Sequence, residues 1–225
     1  MKAASIPLTT WNDVEQFIDA SSMRITPSYF ERIVQGNYPL DAFSKGQLAS
    51  KAWLLDELFR TVPLKANSTV AILGCWIGSI VEFMHNGLLI NRIYGIDVDP
   101  NAVELSEKLN QKFVQDSWRY KGVVADIATL NTSHMEFETA GELISVKPDW
   151  IINTSCEHMD THWFDTVAND QLIIMQTNNS PEYDGHINTC NSVGEMTAKY
   201  PLTNTLYIGS LETPAYTRFM QIGYK

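Results

Sequence analysis

Apolar residues recur at helical spacing from Trp11 to about Leu64, as in Trp11, Val14, Phe17 and Ile18 and again in Leu48, Trp53, Leu54, Leu55, Leu58 and Phe59. This predicts a helical N-terminal region. Pro27, Gly36 and Pro39 divide it into two or three helices joined by loops. Beyond Pro63 the pattern changes. Val70 to Leu73 is a short apolar run closed by Gly74, and Ser79 to Gly87 has helical character, so a strand, a glycine turn and a helix are expected. Arg92 to Asp97 is a second strand, and Pro100 to Asn110 is a helix with proline in its first turn. Further strands are predicted at Tyr120 to Ala125, Trp150 to Asn153 and Gln171 to Gln176. Short apolar strands alternating with helices imply an α/β fold with a mostly parallel sheet covered on both faces. The alternation ends at Thr205 to Ser210 and Thr217 to Gly223, two strand-like runs with no room for a helix between them, which predicts an antiparallel hairpin.

Composition narrows the class. With 44% hydrophobic and 19% charged residues the chain is globular rather than disordered, and its 225 residues suffice for one core with an appendage. No apolar run approaches the ~20 residues of a membrane span. The start, MKAASIPLTTWNDVEQF, lacks the apolar stretch of a secretory signal and carries acids that a transit peptide avoids, so a cytoplasmic location is expected. Cys75, Cys156 and Cys190 are too few and too scattered for a disulfide framework and are expected as free thiols. A net charge of −10 disfavours an extended hold on nucleic acid, which leaves a small-molecule substrate as the expected partner.

The candidate chemistry begins at the first glycine turn. Gly74 and Gly78 bracket Cys75, Trp76 and Ile77, where backbone N–H groups and a helix start can face a polar ligand; alone, this is equally an ordinary strand-to-helix turn. The second strand adds Asp97 at its end, where a carboxylate can accept both hydroxyls of a ribose. Asp99, just before Pro100, is placed to cap the next helix. The segments ILGCWIGS, YGIDVDP, VVADI and DWIINTSCEH, in that order, resemble the class I S-adenosylmethionine-dependent methyltransferases over residues 68 to 225. The resemblance implies a Rossmann-like, seven-stranded sheet with its last strand antiparallel, residues 67–225 forming the cofactor-binding domain and residues 1–66 a helical lid or substrate region. It implies S-adenosyl-L-methionine as cofactor, with Gly74, Trp76 and Gly78 at its methionine end, Asp97 on the ribose, Asp126 near adenine and Ile127 as an adenine wall. Two positions depart from the family pattern: Ile72 stands where many members carry an acid, and Trp76 replaces the usual middle glycine. With FSKGQLASKAWLLDEL, QTNN and HIN the whole chain also looks like a set of methyltransferase-like proteins, many encoded by phages.

Ligands in open α/β sheets lie beyond the carboxyl ends of the strands, and the residues there are unusually polar. Asn153, Glu157 and His158 are the candidate catalytic residues, Glu157 or His158 as the base. Asn178, Asn179 and the loop residue His186 are candidate substrate ligands, as are Lys45 and Gln47 on a helix able to cover the pocket. The plainer alternatives are that Asn153 and Thr154 cap a helix carrying Glu157 and His158 on its surface, and that Ser44 caps the helix holding Lys45, with Gln47 three residues on. His158 and His162, four apart beside Cys156 and Glu157, could share a metal with His186 and Cys190, but the fuller metalloprotease pattern is absent and no metal is expected. Trp150, Trp163 and Phe164 are expected in the core or pocket wall. The leading function is methyl transfer to a nitrogen or oxygen of a small substrate. The alternatives are transfer of the cofactor's aminocarboxypropyl arm and a non-catalytic binding module; a nicotinamide-dependent enzyme fits the short glycine loop and terminal hairpin less well.

Overall fold

A computed structural model describes residues 27–225 except 64, 88, 89, 140 and 214, so the helical pattern at Trp11, Val14, Phe17 and Ile18 lies outside the described residues. Helix α1 (Pro27–Gln35) stops before Gly36, and a 3-10 turn (Leu40–Phe43) follows Pro39. Helix α2 (Lys45–Thr61) starts at Ser44, whose hydroxyl accepts the Gln47 N–H at 3.5 Å. Then come β1 (Ser68–Leu73), α3 (Val81–Gly87), β2 (Ile90–Asp97), α4 (Pro100–Leu109), α5 (Gln111–Gln115) and β3 (Tyr120–Val124). A hairpin of β4 (Met135–Thr139) and β5 (Glu142–Val146) precedes β6 (Trp150–Asn153), a 3-10 turn (Cys156–His158) and α6 (His162–Asp165). The chain ends with β7 (Leu172–Asn178), α7 (Val193–Lys199), β8 (Asn204–Glu212) and β9 (Thr217–Tyr224).

Among the described residues the main sheet has seven strands in the order β3-β2-β1-β6-β7-β9-β8. The first five are parallel, and β9 runs antiparallel between β7 and β8. This is the expected mostly parallel sheet with its last strand reversed. The β4–β5 pair forms a separate small sheet that the helix–strand alternation did not anticipate.

Because side chains alternate along a strand, each central strand feeds two cores. Val70 and Ile72 of β1, with Trp150 and Ile152 of β6, pack against Tyr29, Ile33, Leu48, Leu54 and Leu58 of the N-terminal helices. Ala71, Leu73 and Ile151 face the other way, onto Trp163, Phe164, Met196 and Tyr200, with Met135 and Phe137 of the small hairpin. Each large apolar side chain buried this way contributes about 1.5–3 kcal/mol. Helices α1 and α2 therefore share one core with the sheet, which holds α2 over the carboxyl ends of the strands. The antiparallel direction of β9 sets its beginning, Thr217 and Arg218, beside the end of β7: Asn178 and Arg218 are register partners.

Candidate functional site

A cavity of about 1420 Å³ opens where β1, β2, β6 and β7 end and β9 begins, walled on the far side by the start of α2. On one side the turn after β1 alternates into left-handed backbone, with φ of 62° at Gly74, 47° at Trp76 and 63° at Gly78. A Cβ on Gly74 would lie 3.0 Å from Ser155 Cβ and 3.3 Å from the Met159 methyl, so glycine lets the turn pass close beneath the loop after β6. Trp76 holds the same left-handed conformation with a side chain, which costs about 1–2 kcal/mol. Two contacts offset that cost: the Trp76 N–H donates to Asp97 Oδ2 at 2.8 Å, and its ring packs against the α1–α2 core.

Asp97 also accepts the Asp99 N–H through Oδ1 at 3.1 Å. Its carboxylate is thereby fixed at the cavity wall with one backbone donor on each oxygen. Asp99 accepts the Asn101 N–H at 2.9 Å and caps α4, with Pro100 following. Asp126, which accepts the Ala128 N–H, and Ile127 line the same side.

The opposite wall is built on charge. Glu157 is 2% exposed, and its Oε1 accepts from Asn178 Nδ2 at 2.8 Å and from Arg218 at 3.4 Å. Arg218 also donates to the Thr154 carbonyl at 3.0 Å. Burial works against the Arg218 charge, but the adjacent Glu157 carboxylate and Tyr216 outweigh it and raise its pKa. Glu157 thus lies inside rather than on a helix surface, because the segment after β6 is a 3-10 turn that points it inward. His158 and His186 meet edge to face with ring centroids 4.6 Å apart, and burial lowers the His158 pKa. The loop that carries His186 is pinned by the Ile187 and Asn188 N–H groups, which donate to the Glu157 carbonyl at 2.9 and 3.0 Å.

Helix α2 contributes Lys45, Gln47 and Lys51 to the wall. Lys51 Nζ donates to Gln47 Oε1 at 3.0 Å, one helical turn back. Burial of its amine, reinforced by Arg218 and opposed by Asp41, lowers the Lys51 pKa to about 7.

Of the residues singled out from the sequence, Gly74, Trp76, Asp97, Asp126, Ile127, Lys45, Gln47, Glu157, His158, Asn178 and His186 come together on this cavity. Gly78, Asn153 and Asn179 are not among its lining residues. Gly78 accommodates the close approach of α4 and β3, since a Cβ there would sit 3.0 Å from Asn110 Nδ2, 3.1 Å from the Tyr120 hydroxyl and 3.3 Å from Ser106 Cβ. Asn153 is fully buried; its Oδ1 accepts the Ser155 N–H at 3.0 Å, and its amide N–H donates to Met159 Sδ, which shapes the turn that presents Glu157. Asn179 Oδ1 accepts the Thr217 N–H at 2.8 Å and ties β7 to β9. His162 is exposed, 3.3 Å from Asp165, and does not pair with His158. Trp150 is in the core facing α1 and α2, Trp163 and Phe164 are in the other core, and Trp163 also reaches the cavity. The cysteines are free and buried.

Two charged residues escaped the sequence reading. Arg218 sits at the start of a strand, and only its reversed direction brings that start to the ligand end of the sheet. Lys51 lies in a helix that reads as ordinary amphipathic sequence; its one local signal is its position four residues after Gln47.

No protein-family model and no curated protein matches the chain. Solved structures do. The chain is similar to the N-methyltransferase NodS from Bradyrhizobium japonicum WM9 in complex with S-adenosyl-L-homocysteine, at 14% identity and a TM-score of 0.59 over 88% of this chain and 97% of that one. It is similar also to magnesium protoporphyrin IX methyltransferase (ChlM) from Synechocystis PCC 6803 with bound S-adenosyl-L-homocysteine, at 14% identity and a TM-score of 0.58 over 88% and 95% of the two chains. At such identities the likeness is one of fold: the seven-stranded architecture is shared with these two structures. No helix among the described residues is long and apolar enough to cross a membrane.

Proposed function

We propose that this protein is an S-adenosylmethionine-dependent methyltransferase that acts on a nitrogen or oxygen of a small acceptor. The observation that carries the reading is Asp97. An ionised carboxylate has about four lone-pair positions, and the two backbone N–H groups that fix this one use only one on each oxygen. The remaining pair suits the two hydroxyls of a ribose at the end of β2. Gly74 and Trp76 form the floor for the methionine end, and Asp126 and Ile127 flank the place for adenine. A volume of about 1420 Å³ exceeds the roughly 300–1,000 Å³ of a site for one drug-sized ligand, so cofactor and acceptor fit together. The fold neighbours crystallised with S-adenosyl-L-homocysteine support the same cofactor.

When bound, the cofactor supplies an activated methyl group and a thioether leaving group. The chain's own residues do the rest. Asn178, Glu157 and Arg218 form a fixed polar wall that orients the acceptor with little reorganisation. Lys51, whose amine is partly neutral near pH 7, takes the proton that the acceptor loses. Lys45 and Gln47 on α2 close the cavity over the acceptor.

Isothermal titration with S-adenosylmethionine and S-adenosylhomocysteine, with NAD as control, tests the reading. Micromolar binding of the first two and none of NAD is expected. Binding of neither would overturn it.

A further inference from the structure

We propose that Glu157, His158 and His186 form a binding site for one divalent transition-metal ion in the cavity wall. The proposal stands on these side chains alone and does not depend on which cofactor the cavity takes. Each residue brings a ligand atom to within 4.8 Å of the other two, and all three line the cavity. The pairing differs from the helical His158–His162 spacing: the second histidine comes from the loop after β7.

Each ligand is oriented by a partner that leaves a lone pair over. His186 Nδ1 lies 2.5 Å from the Ser180 carbonyl oxygen. A carbonyl only accepts, so Nδ1 carries the proton and Nε2 the lone pair. His158 is likewise tied through the ring to the backbone of Gly185. A ring N–H anchored on a carbonyl is how metal-binding imidazoles are held in one tautomer and one orientation. Glu157 supplies the independent observation. Its Oε1 is engaged by Asn178 and Arg218, but Oε2 is buried and has no hydrogen-bond partner, in a residue only 2% exposed. Leaving such an oxygen unsatisfied costs about 1–3 kcal/mol, more when it is charged, and a cation would remove that cost. The Glu157 carbonyl also holds the His186 loop through Ile187 and Asn188, so the three ligands are kept together before any ion arrives.

The donor set narrows the ion. Two imidazoles and one carboxylate suit Zn²⁺, Fe²⁺ or Co²⁺ and leave a coordination position open to the cavity. Hard-cation sites for Mg²⁺ or Ca²⁺ are built from oxygens, which this one is not. Arg218 already offsets the Glu157 charge, so the ion keeps most of its positive charge and its open position favours water or an ionised oxygen of a small molecule. Zinc bonds of about 2.0–2.2 Å require the ligand atoms to draw closer than their present span, a side-chain adjustment of about an ångström.

The test titrates metal-stripped protein with Co²⁺, followed by visible d–d absorption, with Zn²⁺ as competitor. One equivalent is expected to bind saturably and to be displaced by Zn²⁺. His158→Ala and His186→Ala should each weaken Co²⁺ at least about tenfold, and His162→Ala, at an exposed histidine outside the cluster, should not. Both cluster histidines are only partly buried at most, so these variants keep the fold, which thermal melting verifies. Absence of saturable Co²⁺ binding by the parent protein, or binding that survives both cluster variants, would overturn the proposal. Titrating S-adenosylhomocysteine into the same metal-free samples separates the two readings: if the nucleoside binds and Co²⁺ fails to bind, the metal site falls and the methyltransferase stands, and if Co²⁺ binds and the nucleoside fails to bind, the methyltransferase falls and the metal site stands.

Discussion

At the scale of single residues, the site is a set of side chains whose ionisation and orientation are fixed by near neighbours. Asp97 has two tasks, and one substitution separates them poorly. Asp97→Ala is expected to reduce S-adenosylhomocysteine affinity more than tenfold by calorimetry and also to lower stability by about 1–3 kcal/mol, because the Trp76 and Asp99 N–H groups lose their acceptor. Unchanged affinity in folded protein would remove Asp97 from the ribose. Lys51 titrates near 7 in the folded chain and near 10.5 when unfolded. The unfolded chain therefore holds the extra proton between those values, and stability rises with pH from about 7 to about 10.5. Lys51→Met should abolish that rise in denaturant titrations, and the Cε resonance of Lys51 should titrate near 7 in the parent protein; a midpoint near 10.5 would remove it as a base. Asp97 was readable from the sequence because a strand end and an acid are local neighbours. Lys51 and Arg218 were not, because what makes them candidates is the burial and the charged neighbours they acquire only through tertiary packing.

Elements decide which ends meet. Helix α3 is held against the β3 side through His85, whose Nε2–H donates to the Arg119 carbonyl at 3.2 Å while Nδ1 accepts from the Arg119 guanidinium at 3.1 Å and the ring stacks on Phe113. The Nδ1 contact requires the neutral ring, and burial with the Arg119 charge lowers its pKa to about 4. The folded-state value lies below the unfolded 6.5, so this stabilisation is complete above 6.5 and is lost as pH falls toward 4. His85→Gln, which keeps a donor and an acceptor but does not titrate, should be less stable at pH 7.5 and should lose less stability than the parent protein between pH 6.5 and 4.5 in urea melts. At this scale the five parallel strands and the terminal hairpin were readable, since each is a short apolar run between turn residues. The β4–β5 hairpin carried a signal too: Met135 and Phe137 alternate with Glu136 and Glu138, and Gly141 provides the left-handed turn at φ 79°. The helix–strand alternation had no position for it. Its buried residues pack against the Tyr94 face of the sheet, with Phe137 and Tyr94 edge to face at 5.4 Å.

The whole molecule couples the site to global stability, because α2, β1, β2, β7, β9 and the turn after β6 all line one cavity. A ligand that binds only the folded state adds about 2.7 kcal/mol at a concentration a hundredfold above its Kd. For a chain of this length that corresponds to roughly 5–10 °C in Tm. S-adenosylhomocysteine is expected to give such a shift in differential scanning fluorimetry and NAD none; equal shifts would indicate a general nucleotide site. The net charge of −10 makes the surface repel polyanions, yet the cavity gathers Lys45, Lys51 and Arg218 beside Asp97 and Glu157, so whole-chain charge speaks to macromolecular partners and not to the ligand.

The place of β9 has a consequence for how the protein is made. Ribosomes release β7 before β9, so during synthesis the apolar first half of a fully buried strand, Leu172 to Met175, waits with an unpaired edge until the reversed strand is threaded in beside it. The guanidinium of Arg218 arrives on that same strand, after every other group of the cavity wall that the described residues provide. A nascent chain therefore carries an exposed strand edge until its site can exist, and the step that hides the sticky edge is the one that completes the site.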